Sequence, residues 1–273
     1  MRLATARSGS TTTAVVHDGN QWRGMRCTDL GEWLAQPDRD ALAAFALTAG
    51  PVLAEPRFAT PVSRPGKVIC CGLNYADHIR ETGRELPSHP TLFTKFADSL
   101  VGDGDDIVIT GSSSVDWEAE LAVVVGATLT RATASEAGEA IAGYTIANDI
   151  SMRDWQKRTL QWFQGKAWDA STPVGPILVT PDECDPGEGV EIRCTVNGEQ
   201  VQGDNTDQLV FAPADLLAYI SQFTTLRPGD LVLTGTPGGV GMGMNPPRFL
   251  ADGDVLTTEI EGIGALTNTI HLT

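Results

Sequence analysis

The sequence is poor in cysteine and histidine. Only five of its 273 residues are cysteines and four are histidines. The cysteines are odd in number, and no cluster of Cys and His has the spacing of a zinc site. A fold built on disulfides is therefore not expected. We predict that all five cysteines are reduced thiols in structural positions: Cys27, Cys70, Cys71, Cys184 and Cys194.

Long apolar runs are also lacking. No stretch comes near the roughly 20 consecutive apolar residues that a transmembrane helix needs. The N-terminal MRLATARSGSTTTAVV has no apolar core of the kind that a secretory signal carries. Membrane insertion and secretion are therefore not expected, and the sequence predicts a cytoplasmic protein.

Positive charge is in short supply. Nineteen Lys and Arg stand against 35 Asp and Glu, which gives a formal net charge of -16. A field of this sign repels nucleic acid and anionic lipid, so neither nucleic acid nor a membrane is expected as a partner. It would also repel a small carboxylate, so an acid substrate would need local positive charge from a metal ion, a lysine or an arginine. Two glycine-rich stretches, GTPGGVGMG and PGEGVE, fit neither a dinucleotide fingerprint nor a phosphate-binding loop.

The sequence does contain many short β-rich runs separated by Gly, Pro, Asn and Asp. We predict a small N-terminal α/β domain with a proline-rich linker over 1–63, whose DLGEWLAQ to ALAAFALTAG stretch has one helical pattern. A strand-rich catalytic domain is predicted over 64–273, so the fold class is α+β, mostly β. One late helix is predicted in APADLLAYISQFTTL, where Leu216, Ile220 and Phe223 recur at helical spacing.

Three acidic residues stand at the ends of predicted strands. Glu118 and Glu120 begin an apolar strand in VDWEAELAVVVG, and the alternation of side chains along a strand places both on one face. Asp149 follows the apolar run GYTIAN. Neighbouring like charges repel unless a cation lies between them, and three carboxylates can bind Mg²⁺ or Mn²⁺ with positions left for water and a bidentate 2-oxo acid. The alternative is a solvated edge strand with surface acids.

A histidine and a glutamate form a second candidate group. His78 and Glu81, in GLNYADHIRETG, are three residues apart and share a face if the stretch forms a helical turn. A carboxylate that orients an imidazole raises its basicity, which makes the pair a candidate general base. Gly72 and Gly83 flank the pair and would let the segment close over a site. An ordinary surface pair explains the same spacing.

Cationic and polar candidates follow Asp149. Arg153 and Gln156 come directly after it in DISMRDWQ, and Lys166 lies in FQGKAW. Lys166 beside a metal ion can stabilise an enolate or hold a carboxylate, which is the local positive charge that an acid substrate needs. A surface lysine is the alternative. Thr236 lies in the turn GTPGGVG, where backbone N–H groups and a hydroxyl can meet an anion, although a plain hairpin turn explains it equally well.

Taken in order, several motifs resemble the fumarylacetoacetate hydrolase superfamily. They are GLNYADH, P-x-L-F-x-K (Pro90 to Lys95), DWEAELAVVVG, ANDISMRDWQ, GKAWDASTPVGP, VNGEQVQGDNT and LRPGDLVLTGTPGGVG, and the resemblance extends over roughly 67–273. The resemblance implies a mixed β-sheet roll, a likeness to acylpyruvate hydrolases and 2-hydroxyhepta-2,4-diene-1,7-dioate isomerases, and a homodimer or higher assembly. It also implies a bound Mg²⁺ or Mn²⁺, with Ca²⁺ as an alternative occupant in crystals.

The resemblance further assigns roles to single residues. It implies a metal held by Glu118, Glu120 and Asp149, catalysis by His78, Glu81 and Lys166, and substrate binding by Tyr75, Arg153, Gln156 and Thr236.

Members of the superfamily act on small 2-oxo acids through an enolate. Because His78 and Glu81 are present, we predict a metal-dependent hydrolase that cleaves a carbon–carbon bond in an acylpyruvate-like 2,4-dioxo acid through a metal-bound enolate. An oxaloacetate-type decarboxylase, or a hydroxymuconate-type isomerase or decarboxylase, is the alternative. A non-catalytic binder of 2-oxo acids is the second alternative.

Overall fold

The computed structural model describes residues 1–76, 79 and 85–273 of the chain. Its strands are β1 (Arg2–Ser8), β2 (Thr11–His17), β3 (Trp22–Gly24), β4 (Val52–Leu53), β5 (Val68–Gly72), β6 (Thr91–Lys95), β7 (Leu100–Val101), β8 (Asp106–Ile109), β9 (Val115–Asp116), β10 (Ala119–Val125), β11 (Ile141–Asn148), β12 (Ser151–Met152), β13 (Thr172–Val179), β14 (Glu191–Val196), β15 (Glu199–Asn205), β16 (Leu231–Leu233), β17 (Val255–Ile260) and β18 (Gly264–Leu272). Its α-helices are α1 (Leu30–Leu34), α2 (Arg39–Ala49), α3 (Ala134–Glu139), α4 (Arg153–Gln156), α5 (Phe163–Lys166) and α6 (Pro213–Ser221). Short 3₁₀ helices span Ala97–Ser99, Pro186–Glu188, Thr206–Gln208 and Gly241–Gly243.

Most strands belong to one large mixed sheet. Across the described ranges its order is β4-β3-β2-β1-β13-β11-β10-β16-β5-β6, with β7 also paired to β13. Neighbours are antiparallel except for β16 with β5 and β7 with β13. A second sheet has the order β15-β14-β17-β18-β8, and β9 and β12 form a separate pair. The predicted class, α+β and mostly β, is confirmed.

The central strand β10 is buried along its whole length. Leu121, Val123 and Val125 belong to one apolar cluster. Ala122 and Val124, on the opposite face, belong to the other. A strand that is covered on both faces reads as a continuous apolar run, which is how AELAVVV appears in the sequence. Any charged residue at its start is therefore carried at the edge of a well-packed core.

The N-terminal segment extends the large sheet. In β1, Arg2 pairs with Val179 of β13, and β2 to β4 continue outward from β1. These strands and those of the later region share one hydrogen-bonded sheet, and the domain boundary near residue 63 stays a prediction.

The single helical pattern predicted for the N-terminal region is wrong in one respect: the stretch forms two helices, α1 and α2. Pro37 lies between them, and a proline disfavours helical geometry in the residue before it.

The late helix is confirmed but is shorter than its apolar pattern. Leu216 and Ile220 are buried, whereas Phe223 lies beyond the end of α6 and is 66% exposed. The helix ends at Ser221, so the helical spacing that the sequence shows does not extend in the structure to Phe223. No helix in the described part of the chain is long and apolar enough to cross a membrane.

The five cysteines are free and buried. Burial raises the pKa of Cys71 and of Cys194 to about 12, and it raises the pKa of Cys70 as well.

Only the thiolate reacts with a disulfide reagent, so the reactive form of Cys71 is about 10³-fold scarcer at neutral pH than that of an ordinary thiol. We expect native protein to react negligibly with 5,5′-dithiobis(2-nitrobenzoic acid) within minutes. Protein unfolded in guanidinium should release five equivalents of the chromophore, and fast labelling of the folded protein would contradict the packing.

Candidate active site

The pairing of β10 with β11 brings three carboxylates together. Glu118 directly precedes β10, Glu120 is its second residue, and Asp149 directly follows β11. The strands are antiparallel with Ala119 opposite Asn148, so the start of one lies beside the end of the other. The backbone N–H of Asp149 donates to the carbonyl of Glu118 at 2.8 Å. As a result, carboxylate oxygens of Glu118, Glu120 and Asp149 lie within 4.8 Å of one another.

These carboxylates are not surface groups. Glu118 is 8% exposed, Glu120 is 1% exposed and Asp149 is fully buried. The alternative of a solvated edge strand is therefore wrong. Buried carboxylates are costly unless cations and hydrogen-bond donors surround them, so the neighbouring groups decide the charge of the site.

Two buried lysines meet the carboxylates. The Nζ of Lys166 lies 2.7 Å from Oε2 of Glu118 and 2.6 Å from Oδ2 of Asp149. The Nζ of Lys95 lies 2.8 Å from the other oxygen of Asp149 and donates to Thr172 Oγ1 at 2.7 Å. Lys166 is 1% exposed, so the alternative of a surface lysine is wrong. The aspartate is thus held between two ammonium groups.

An arginine neutralises the remaining side of Glu118. Nη1 of Arg153 lies 2.7 Å from Oε1 of Glu118 and donates to Oε1 of Gln156 at 3.0 Å. Nε of Arg153 donates to Oδ2 of Asp116 at 2.8 Å. Asp116 is fully buried and also accepts backbone N–H groups from the start of the Gly241–Gly243 turn. Arg153 and Gln156 therefore belong to the site, and their contact with substrate stays a prediction.

The two glutamates have opposite pKa shifts. Burial alone would raise the pKa of Glu118, but the charges of Lys166 and Arg153 outweigh it and hold that pKa at about 2. Burial raises the pKa of Glu120 well above its usual range, and the negative charges of Asp149 and Glu118 raise it further. Glu118 is therefore ionised at neutral pH, whereas the charge of Lys166 and the N–H of Gly235 do not outweigh the groups that raise the pKa of Glu120.

The charges of the site fit a divalent cation. As far as the described residues show, the site combines four buried carboxyl groups with three buried cations: Asp116, Glu118, Glu120 and Asp149 with Lys95, Arg153 and Lys166. A hard cation with oxygen ligands would supply the missing positive charge and would ionise Glu120. The donor set suits Mg²⁺ or Mn²⁺, and the identity of the metal stays a prediction.

A glycine-rich turn closes one side of the site. Gly235 has a φ of 104°, which favours glycine, and its N–H donates to Oε2 of Glu120 at 2.6 Å. Thr234 is buried and its hydroxyl donates to a backbone carbonyl, which is a structural contact. Thr236 is only partly buried, and its hydroxyl accepts a hydrogen bond from Gln202 at 2.8 Å. The turn thus contacts Glu120 through Gly235 and carries one partly buried hydroxyl at the next residue, Thr236.

The remaining predicted site residues come from the 75–81 segment. Tyr75 is fully buried, and its hydroxyl has no hydrogen-bond partner among the described residues. Burial and the negative charges of Asp204 and Glu120 raise the pKa of Tyr75, so the phenol is neutral. His78 and Glu81 lie outside the described residues, and their predicted pairing and lid role stay predictions.

Sequence reasoning missed three site residues. Asp116 stands two before Glu118 in VDWEAE, so strand alternation could have placed it on the same face. Lys95 ends the motif P-x-L-F-x-K, and its charge at the end of β6 was the available signal. Gln202 stands in the motif VNGEQVQGDNT, but a polar residue in a polar strand gave no indication of its contacts.

The chain is similar to several characterised proteins. The family described as "Fumarylacetoacetate (FAA) hydrolase C-terminal" matches residues 67–271. The mitochondrial oxaloacetate tautomerase Fahd2a of Rattus norvegicus is 49% identical over 215 residues, which cover 78% of this chain and 69% of that protein. Fumarylacetoacetate hydrolase from Exiguobacterium antarcticum superposes with a TM-score of 0.89 at 35% identity, over 100% of both chains. The 5-carboxymethyl-2-hydroxymuconate delta-isomerase from Mycobacterium smegmatis has a TM-score of 0.82 at 33% identity, over 100% of this chain and 99% of that one.

Removal of a carboxylate should weaken metal binding. We expect Glu120→Gln and Asp149→Asn each to raise the Kd for Mn²⁺ by at least about 100-fold, since even outer-shell changes at metal sites cost about 10- to 100-fold. Isothermal titration calorimetry gives the Kd. Glu139→Gln, which makes the same change at an exposed acid, should bind Mn²⁺ like the parent. Parental affinity in Glu120→Gln and Asp149→Asn would exclude the carboxylate cluster as the metal site.

Removal of the shared ammonium should destabilise the fold. Lys166→Met leaves Glu118 and Asp149 short of one buried counter-charge, and we expect the free energy of unfolding to fall by about 3 kcal/mol. Urea denaturation in the presence of EDTA measures it. Lys157→Met, at an exposed position, is the matched control and should change stability little. Equal stability of the Lys166 variant and the parent would show that the buried pairs contribute nothing.

Proposed function

The chain belongs to the fumarylacetoacetate hydrolase family, and on that premise we propose that it is an enzyme that interconverts the keto and enol forms of oxaloacetate or a closely related 2-oxo diacid. The observation that carries this proposal is the buried ammonium of Lys166, held against two of three clustered carboxylates. The name of the rat relative supplies the substrate. The isomerase among the solved structures supports proton transfer on a related diacid.

The comparisons favour the alternative over the predicted hydrolase. The rat relative is named as an oxaloacetate tautomerase and one similar solved structure as an isomerase, whereas another is named as a hydrolase. The hydrolase prediction rested on His78 and Glu81, which lie outside the described residues. Proton transfer on an enolisable diacid is therefore the better-supported activity.

The proposed reaction conserves every atom. In the keto form, the C3–H bond breaks and its proton passes to a water molecule, the bond's electron pair forms the C2=C3 double bond, and the electrons of the C2 carbonyl move to its oxygen, which takes up a proton from water. The reverse sequence returns the keto form. Negative charge develops on the C2 oxygen between the two proton transfers, so the enzyme must stabilise charge at that one atom.

Lys166 is suited to stabilise this charge. Burial alone would lower the pKa of Lys166, but the charges of Asp149 and Glu118 outweigh it and raise that pKa above its usual value. The amine is therefore protonated at neutral pH and cannot act as a base. A fixed ammonium in a buried site stabilises a developing oxyanion without reorganisation, which is the role we propose for it.

A divalent ion would add to this effect. Glu118, Glu120 and Asp149 would hold Mg²⁺ or Mn²⁺, which when bound supplies a Lewis acid for the 2-oxo group. The protein's own contribution is orientation: Arg153 and Lys166 fix Glu118 from two sides, and Asp116 in turn fixes Arg153. The carboxylates are thereby held in one geometry before any ligand arrives.

The assembly and the location of the protein are further proposals. We propose a homodimer, because β4 and β6 end the large sheet without a further neighbouring strand in the described ranges, and exposed sheet edges favour pairing. The cytoplasmic location also stays a prediction. The rat relative is named as mitochondrial, which describes that protein.

Tautomerisation can be measured directly. Enol oxaloacetate, diluted from an aprotic solvent into buffer with Mg²⁺, loses its ultraviolet absorbance as it converts to the keto form. We expect the parent to accelerate this loss and Lys166→Met to reduce the catalysed rate by about 10²- to 10³-fold, the usual effect of removing one oxyanion-stabilising group. Lys157→Met should keep the parental rate.

Parallel assays separate the alternatives. Release of pyruvate from oxaloacetate without faster enol loss would indicate a decarboxylase, and release of pyruvate from an acylpyruvate would indicate a hydrolase. Saturable binding without any product would indicate a binder. An enol lifetime unchanged by saturating parent enzyme with Mg²⁺ would refute the proposed function.

A further inference from the structure

A buried glutamine joins the two sheets next to the carboxylates. Gln202 lies in β15 and is 2% exposed. Its Oε1 accepts the backbone N–H of Ala119 at 2.9 Å. Its Nε2 donates to the carbonyl of Pro237 at 3.0 Å and to Oγ1 of Thr236 at 2.8 Å. Both ends of the amide are therefore engaged.

The surroundings fix which end of the amide is which. The backbone N–H of Ala119 can only donate, so it must meet the oxygen of Gln202. The carbonyl of Pro237 can only accept, so it must meet the nitrogen. A flipped amide would place its nitrogen against the N–H of Ala119 and its oxygen against the carbonyl of Pro237, and neither pair can form a hydrogen bond. The hydrogen-bond polarity of Gln202 is thus set by backbone groups that cannot change role.

The orientation of Gln202 in turn sets the hydrogen-bonding role of the Thr236 hydroxyl. A hydroxyl has one proton and can accept at its oxygen lone pairs. Gln202 donates to the oxygen of Thr236, and no described residue accepts the proton of that hydroxyl. Since Thr236 is only partly buried, its proton is available to a ligand. A donor of this kind suits an anionic oxygen.

The turn that carries this hydroxyl contacts a candidate metal ligand. Gly235, one residue before Thr236, donates to Glu120 at 2.6 Å. Ala119, which Gln202 holds, lies between Glu118 and Glu120 in the chain. One glutamine side chain therefore connects the turn that carries the hydroxyl to the strand that carries two of the three carboxylates.

We propose that Gln202 is a positioning residue that makes the Thr236 hydroxyl a hydrogen-bond donor to the carboxylate of the bound 2-oxo acid. The chemical class of the ligand rests on the proposed function. Gln202 touches no substrate; it acts through Thr236. Loss of the Gln202 side chain should therefore weaken ligand binding only while Thr236 keeps its hydroxyl.

A double-mutant cycle with oxalate tests this dependence. Oxalate carries adjacent carboxylate oxygens like those of an enolised 2-oxo acid, and its Kd can be measured by calorimetry in the presence of Mg²⁺. We expect Thr236→Val to weaken binding by about 10- to 100-fold, the usual range for a hydrogen bond to a charged group. Gln202→Met should weaken it by about fivefold or more, but by less than about twofold in the Thr236→Val background.

A second substitution covers the case in which Gln202→Met does not fold. In Gln202→Glu the N–H of Ala119 keeps an acceptor, but the outer oxygen can no longer donate, so the Thr236 proton turns inward. The added charge repels oxalate whether residue 236 is Thr or Val. The difference between the losses of oxalate affinity in the two backgrounds therefore measures the effect of the Thr236 proton alone. We expect the larger loss with Thr236 present.

Two further variants serve as controls. Thr236→Ser keeps the hydroxyl and should bind oxalate within about threefold of the parent, well short of the loss expected for a missing charged hydrogen bond. Gln200→Met makes the same chemical change at an exposed position of β15 and should bind normally. Melting temperatures of all variants without ligand show whether the fold is intact.

Two results would overturn the inference. One is a loss for the Gln202 variants that is equal in both backgrounds, since a merely structural role gives additive effects. The other is a parent protein that does not bind oxalate, since the hydroxyl then meets no carboxylate. Failure of the proposed tautomerase is distinguishable, because a coupled oxalate cycle without enol turnover would sustain Gln202 and refute only the reaction.

Discussion

The buried carboxylates at the junction of β10 and β11 impose the main physical constraint on this protein. Charge buried away from water is stable only when opposite charge and donors surround it. The cations that do so come from three elements: Lys95 ends β6, Arg153 begins α4 and Lys166 ends α5. The positions of these elements are therefore tied to the site, and loss of one partner leaves the others unbalanced.

The same cluster bears on how so acidic a protein could bind the acid substrate that we propose. A net charge of -16 repels a small dianion at long range, and the three buried cations are already paired with buried carboxylates, so a divalent cation at the site would supply the attraction at short range. The need for a further cation is evident at Glu120, whose pKa is raised by burial and by the neighbouring carboxylates. In the proposed reaction, stabilisation of the enolate oxygen would use the same positive charge, so binding and chemistry would depend on one arrangement.

Polar contacts between the two sheets hold this arrangement in place. Asn148 donates to Thr258 of β17 at 2.9 Å and accepts the N–H of Glu118 at 3.0 Å. Gln202 makes the equivalent link from β15 to Ala119. Each link joins the second sheet to a residue at the start of β10. The carboxylates are therefore supported from both sheets, which suits a site that must be formed before its ligand binds.

Local periodicity in the sequence determined the mostly β class, the shared face of Glu118 and Glu120, and the position of Asp149 at a strand end. The charge of Lys166 and its position after Asp149 made it a further candidate. Local periodicity could not supply burial or partners across the sheets. Lys95 meets Asp149 54 positions away in the chain, and Gln202 reaches the site from the second sheet; the N-terminal strands likewise join β13 only in the folded protein. Side-chain alternation fixes only which face a residue takes on its own strand, whereas pairing between distant strands decides which charges become neighbours.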